Sequence, residues 1–227
     1  MKDCFVLTDY TAAIFDLDGT LLNTLEDIAD AANRTLKHFG HPTHEVDAFR
    51  SFVGSGPDTL FQRALETNPD DSRIPELVDH YKQEYAEQAD RKTCLYPGIA
   101  ELLDALTKKE IKLAILTNKW QHAADQCVAT FLDCWNWDCV VGYQPPRPKK
   151  PDPSGALQIL ETLNCPPRKC FYLGDSDIDM KTAVAAGVVP VGVTWGFRDR
   201  EELVQAGAQE IIAHPLKIFS IQKAAHV

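Results

Sequence analysis

Three short apolar runs in this chain each stop abruptly at a polar cluster, and that repeated grammar limits the possible folds more than any other feature. Ala12-Ala13-Ile14-Phe15 runs into Asp16, Leu113-Ala114-Ile115-Leu116 into Thr117, and Cys170-Phe171-Tyr172-Leu173 into Gly174-Asp175. Near-continuous apolar runs of this length read as strands covered on both faces. Val188 to Val193, just after a helix-ending Gly187, reads as a fourth strand, and Asp138 to Gly142 as a weaker one. Helical patterns lie between them, at Gly98 to Lys109, Gln121 to Leu132, Pro153 to Leu163, Asp177 to Ala186 and Glu201 to Ala206. This alternation predicts an α/β fold built on a doubly wound parallel sheet. Right-handed crossovers bring the carboxyl ends of such strands to one edge, where ligands bind near the reversal of strand order. The clusters at Asp16, Thr117 and Asp175 are therefore expected to meet.

The stretch from Leu21 to Arg91 breaks the alternation. It shows no convincing strand, but helical segments at Leu25 to Phe39, Val46 to Phe52, Asp58 to Glu66 and Pro75 to Ala89. A helical insert directly after the first strand is expected to sit over the strand ends as a cap. The predicted division is a core from residues 1–20 and 92–227 and a cap from residues 21–91. Within the cap, Val53-Gly54-Ser55-Gly56-Pro57 reads either as a loop reaching the site or as a plain helix–helix turn. Pro145-Pro146-Arg147-Pro148 reads as a stiff loop.

The bulk numbers fit a globular enzyme. The 227 residues suffice for a buried core with a second, smaller unit, and the 44% apolar and 25% charged fractions are ordinary. A net charge of −10 argues against nucleic acid or an anionic membrane as partner. No apolar run approaches the roughly 20 residues that span a bilayer. Met1 to Tyr10, with Asp3 and Asp9, lacks the layout of a signal peptide, so a cytoplasmic location is expected. The seven cysteines are scattered, and an odd count without a secretory signal reads as reduced thiols.

Each polar cluster admits a catalytic and a bland reading. In Asp16-Leu17-Asp18-Gly19-Thr20, strand alternation puts both carboxylates on one side, within reach of one phosphoryl group as nucleophile and proton donor. An ordinary Asp–Gly strand exit would look the same. In Gly174-Asp175-Ser176-Asp177-Ile178-Asp179, Asp175 can complete an oxygen site for a hard divalent ion, while Ser176 and Asp177 both read as candidate helix caps, Asp177 the preferred one. Thr117-Asn118-Lys119 offers a hydroxyl, backbone N–H groups at a helix start, and an ammonium, a combination suited to a phosphate oxygen. Lys150 supplies a fixed positive charge, whereas its neighbour Lys149 reads as a solvated loop lysine.

In order, residue type and context these four pieces resemble the four motifs of the haloacid dehalogenase superfamily over essentially the whole chain. The match covers Asp16 with Asp18, Thr117, Lys150, and Asp175 with Asp179. The resemblance implies a Rossmann-like core carrying an inserted helical cap and a Mg2+ cofactor. It implies that Asp16 attacks phosphorus to form an aspartyl-phosphate, and that Asp18 protonates the leaving oxygen and then activates water. The magnesium ion would be held by Asp16, the backbone carbonyl of Asp18, and Asp175. Thr117, Asn118 and Lys150 would bind the phosphoryl group, with Asp179 orienting Lys150 or the water around the metal.

Because the dehalogenases and the P-type ATPases lack the second acid, Asp18 points to a phosphatase or phosphomutase. The helical insert, Val53-Gly54-Ser55-Gly56, Thr117-Asn118-Lys119 and Gly196-Phe197-Arg198 are most similar to phosphoglycolate phosphatases, which implies a small phosphorylated metabolite such as 2-phosphoglycolate. Asn23-Thr24 and Trp120 depart from that pattern. A pyrophosphatase or nucleotidase, or a β-phosphoglucomutase-like mutase, is the alternative on the same scaffold. A monomer or homodimer is expected.

Overall fold

The structure, a computed structural model, describes residues 10–88 and 91–220. The expectations for Met1 to Asp9, for Cys4 and for a helix reaching Ala89 lie outside the described residues.

A six-stranded parallel sheet forms the core. Its central strand is β1 (Ala12–Phe15). On one side of it lie β4 (Lys112–Trp120) and then β5 (Cys139–Tyr143); on the other lie β6 (Cys170–Gly174), β7 (Val189–Val193) and β8 (Glu210–Ile212). Every pairing in this sheet is parallel. The chain winds outward from β1 through β4 to β5, then crosses back to β6, so strand order reverses beside β1. Alternation along β1 explains why the whole run is apolar. Ala13 and Phe15 pack into a core with Leu102, Leu103 and Leu106 of α5 (Ile99–Lys108). Ala12 and Ile14 face the opposite layer, against Ile159 and Leu160 of α7 (Ser154–Thr162) and Ala183 of α8 (Asp177–Ala186). Both faces are dry, as the uninterrupted apolar pattern requires.

The insert carries α1 (Leu25–His38), a 3-10 turn at Val46–Ala48 running into α2 (Phe49–Phe52), α3 (Pro57–Ala64) and α4 (Ile74–Gln88). Its buried apolar side chains, among them Leu36, Phe49, Phe61 and Leu77, form a cluster separate from the two beside the sheet. The α1 stripe of Leu25, Ile28, Ala29, Ala32 and Leu36 follows the helical period and faces that cluster.

The structure corrects the sequence reading in three places. The stretch read as free of strands opens on one: β2 (Leu22–Asn23) pairs antiparallel with β3 (Cys94–Leu95) across the junction. Buried Asp27 ties them further, accepting from the Lys92 and Thr93 backbone N–H groups and the Thr93 hydroxyl. Two-residue strands have no periodicity for a sequence to display. The sheet also gains β8, whose three residues are too few to announce a strand. Finally, the strand that opens near Leu113 runs on to Trp120, with a register irregularity after Leu116, while α6 (Gln121–Phe131) starts at Gln121 as the helical pattern predicts. Thr117, Asn118 and Lys119 are thus extended backbone at a strand end, not the first turn of a helix.

Candidate active site

Asp16 is the first residue past β1 and Asp175 the first past β6, so the two carboxylates meet beyond neighbouring strands at the reversal point. One carboxylate oxygen from each of Asp16, Asp175 and Asp179 lies within 4.8 Å of the others, and all three residues are buried. Lys150 reaches in among them. Its ammonium stands 2.8 Å from Asp16 Oδ1 and 2.7 Å from Asp179 Oδ1, and donates to the Leu116 carbonyl and the Tyr172 hydroxyl. Burial alone would depress the Lys150 ammonium, but the adjoining Asp16 and Asp179 carboxylates outweigh it and hold its pKa above the usual range.

The carboxylates show the reverse. Burial pushes Asp16 well above the ordinary carboxylate range, with Asp179 adding to the rise and Lys150 only partly offsetting it. Asp175 is pushed up to about 7, first by burial and then by Asp179, while the N–H of Phe197 pulls the other way. Three carboxylates against one ammonium leave two negative charges uncompensated, a deficit that a divalent cation would fill.

The hydrogen bonds separate the three acids by role. Asp179 is saturated: Oδ1 accepts from Lys150 and Tyr172, and Oδ2 accepts from the Ser176 hydroxyl and backbone N–H. Asp175 accepts one bond on each oxygen, from Thr20 at 3.2 Å and from the Phe197 N–H at 2.7 Å, leaving lone pairs open. Buried Asp16 Oδ1 lies 2.8 Å from the Lys150 ammonium and takes no other partner, so its carboxylate too keeps lone pairs open. Oxygen donors with open lone pairs fit a hard divalent cation, and Asp16 and Asp175 provide them. Gly19 makes room for the arrangement. Its φ is +89°, and a Cβ there would lie 2.4 Å from Asp175 Oδ2.

Asp18 and the residues after Thr117 are placed differently from the sequence expectation. The Asp18 carboxylate turns away from the other three and pairs with Lys119 at 3.0 Å, so only its backbone oxygen remains for a metal role. Lys119 also donates to the hydroxyl of Tyr85 in α4 at 2.8 Å, joining core to cap. Thr117 is buried beside them, its hydroxyl accepting from the Lys119 N–H. The Asn118 side chain is fully employed: it donates to the carbonyls of Gly54 and Lys150 and accepts from the Lys150 N–H. A phosphate could meet Asn118 only through its backbone. Ser176, not Asp177, caps α8, forming a reciprocal capping box with Asp179, while Asp177 pairs with Lys181. Lys149 is not a free loop lysine but pairs with Asp58 of the cap.

The loop around Gly54 does reach the core. Besides the Gly54 carbonyl on Asn118, Val53 accepts from Arg198 at 2.8 Å, and Arg50 donates to the Gly196 carbonyl at 3.0 Å. Between cap and core lies a cavity of about 290 Å³, with Asp16, Asp18 and Thr117 at its floor and α1, α3 and α4 above. The Lys119 ammonium, read from sequence as a phosphate ligand, is instead paired with Asp18 and Tyr85. Tyr85, Tyr172, Thr20 and the Phe197 N–H had no role in the sequence reading, and no local pattern marks them.

The sequence model of the haloacid dehalogenase-like hydrolases matches residues 13–193. The chain belongs to the haloacid dehalogenase-like hydrolases. It is 31% identical over 210 residues to a phosphoglycolate phosphatase of Pseudomonas syringae pv. tomato, covering 88% of this chain and 75% of that one. To a phosphoglycolate phosphatase of Aquifex aeolicus it is 32% identical over 184 residues, 81% and 84% of the two chains. Among solved structures, a haloacid dehalogenase-like family hydrolase from Streptococcus pneumoniae superimposes with a TM-score of 0.85 at 28% identity, covering 94% and 98%. The hydrolase family thus accounts for the α/β core together with its helical cap, and no described helix of this member is long and apolar enough to cross a membrane.

Proposed function

We propose that this hydrolase is a magnesium-dependent phosphatase acting on small phosphate monoesters through an aspartyl-phosphate on Asp16. The observation that carries the reading is Asp16 itself: a buried strand-end carboxylate lining a cavity, 2.8 Å from a buried ammonium and clustered with Asp175 and Asp179. Asp16 and Asp175, with the backbone oxygen of Asp18, would hold Mg2+. When bound, the ion neutralises charge on the phosphoryl oxygens and keeps the neighbouring carboxylates ionised.

The chain's own groups do the rest. A carboxylate oxygen of Asp16 bonds to phosphorus as the ester P–O bond breaks. Asp18 gives its proton to the departing oxygen, then takes one from the water that attacks phosphorus, releasing inorganic phosphate and restoring Asp16. To do so Asp18 turns from Lys119 toward the reacting oxygens. Lys150 offsets charge on the phosphoryl group from a position fixed by Asp179, Tyr172 and Leu116, so it needs no reorientation during reaction. Thr117 and the backbone at Asn118 hold phosphoryl oxygens. The substrate is a small phosphorylated metabolite met in the cytoplasm by a monomer or homodimer, and the names of the relatives make 2-phosphoglycolate the first ester to assay.

Phosphate release should be followed across 2-phosphoglycolate, sugar phosphates, nucleotides and pyrophosphate, with Mg2+ and with chelator. The reading predicts turnover of at least one monoester, abolished by EDTA and restored by Mg2+. Turnover of pyrophosphate alone, or full activity in protein shown to be metal-free, would overturn it.

A further inference from the structure

At the amino end of β6, away from the catalytic acids, two cysteines touch. Cys170 is the first residue of that strand and Cys165 follows α7, with the exposed stretch 166–169 looping between them. Asp175 leaves the opposite end of β6, roughly 16 Å of strand away. Both thiols are reduced, and both cysteines pack with Ala12, Ile14 and Tyr172. The Cys165 sulfur accepts a hydrogen bond from the Cys170 thiol and lies 3.4 Å from the Thr11 hydroxyl. The Thr11 N–H donates to the Lys169 carbonyl at 2.9 Å, which holds this end of β1 against the loop.

The two thiols differ in access and in charge. Cys170 is wholly buried, whereas Cys165 is 8% exposed and lies beneath the exposed Thr11 and residues 166–169. The Cys170 thiol holds Cys165 below the usual thiol value; burial opposes the shift, and the Thr11 hydroxyl and the Lys112 ammonium assist it. Lys112 is fixed nearby by its 2.7 Å bond to the Leu163 carbonyl. Cys170 shows the reverse and is pushed well above the thiol range, first by Cys165 and then by burial. The thiolate is the reactive form of cysteine, and one with a second thiol in reach resolves to a disulfide before it reaches the higher oxides. Cys134 and Cys139 lack this setting: Asp133 pushes the first up, and burial the second.

We propose that Cys165 and Cys170 form a reversible dithiol–disulfide pair that reacts with small hydroperoxides. The Cys165 thiolate attacks a peroxide oxygen, so that an S–O bond forms as the O–O bond breaks and hydroxide leaves. The Cys170 sulfur then attacks Cys165; the S–S bond forms, the S–O bond breaks, and the departing hydroxide takes the Cys170 proton. The pair gives up two electrons and the peroxide becomes two waters, the first hydroxide taking the proton that Cys165 had shed. The sulfurs must close to about 2.05 Å, a short approach from hydrogen-bond contact. A dithiol restores the pair by exchange. Intracellular disulfides of this transient kind are usual for redox-active pairs, which agrees with the reduced state of the resting protein.

Trypsin cuts after Arg168 and Lys169, so the two cysteines fall on separate peptides that only a disulfide holds together. The reduced full chain is treated with hydrogen peroxide, unfolded in N-ethylmaleimide and digested without reductant for mass spectrometry. The expected product is one linked pair, Cys165 with Cys170, two hydrogens lighter than the free peptides together and lost after dithiothreitol. In Cys170→Ser, Cys165 should collect instead as a sulfenic acid that dimedone traps. In Cys165→Ser, Cys170 should stay fully alkylated at the same peroxide dose. Oxidation of exposed Cys134 while Cys165 and Cys170 remain fully alkylated in the unmodified protein would overturn the proposal, as would Cys165 linked to any other cysteine.

Discussion

Lys150→Met removes the one ammonium among three buried carboxylates while roughly preserving side-chain volume, so its cost can be worked from the geometry. Lys150 lies 2.8 Å from Asp16 and 2.7 Å from Asp179, and its side chain is only 3% exposed. Removing one partner of a buried ion pair typically costs about 3–5 kcal/mol, because the other is left uncompensated. For a chain of this length each kcal/mol lowers Tm by about 2–4 °C, giving an expected fall of roughly 6–20 °C in metal-free protein. Two further observations would tie that fall to charge. The orphaned carboxylates can take up protons, so the loss should be smaller at pH 5 than at pH 8. Adding Mg2+ should recover part of it, since the ion supplies the missing positive charge. Thermal unfolding by circular dichroism, with chelator and with Mg2+, reads all three. A Tm within about 2 °C of the unmodified protein in chelator would refute the reasoning, as would a loss equal at both pH values.

The metal-free protein should itself be less stable at pH 8 than at pH 5. Asp175 has a folded pKa near 7 against an ordinary 3.8, so its contribution is present below 3.8 and lost as pH rises through 7, and thermal unfolding at the two pH values checks the sign. Gly19→Ala should push Asp175 out of place, because the new Cβ would fall 2.4 Å from its Oδ2; the Mg2+ concentration for half-maximal activity is expected to rise about 10–100-fold, and an unchanged value would mean Asp175 is not a ligand. Asp27→Ala removes the acceptor for Lys92 and Thr93 at the cap junction and leaves the Thr93 donors buried; a loss of about 1–3 kcal/mol in urea unfolding is expected.

Much of this was legible because catalysis and fold share the same residues. The strand runs ending at Asp16, Thr117 and Asp175 are apolar on both faces since the sheet is covered on both, and the polar residue after each run marks where the strand leaves the core. The helical insert showed itself through the 3.6-residue period of α1 and α3. What stayed hidden depends on tertiary contact. No pattern in sequence shows that the Asp18 carboxylate pairs with Lys119 and leaves the other three acids, or that Tyr85 of the cap touches Lys119. Asn118 reads as a phosphate residue through its backbone, and nothing local shows that its side-chain amide stitches Gly54 to the Lys150 loop. Lys149 and Lys150 are adjacent, and only the fold shows that one pairs with the cap and the other with the catalytic acids. The β2–β3 ribbon depends on backbone pairing across the whole insert, from Asn23 to Cys94, beyond the reach of any local period.

The central claim is that Asp16 becomes phosphorylated during turnover. The most direct measurement uses Asp18→Asn, in which hydrolysis of the intermediate is slowed, mixed with a turned-over phosphate ester and Mg2+, then quenched in acid and treated with borohydride. Reduction converts an aspartyl-phosphate to homoserine, which peptide mass spectrometry locates. The account predicts homoserine at position 16 and nowhere else, absent when ester or Mg2+ is omitted. Homoserine at another aspartate, or none while the same sample demonstrably releases the alcohol, would contradict it.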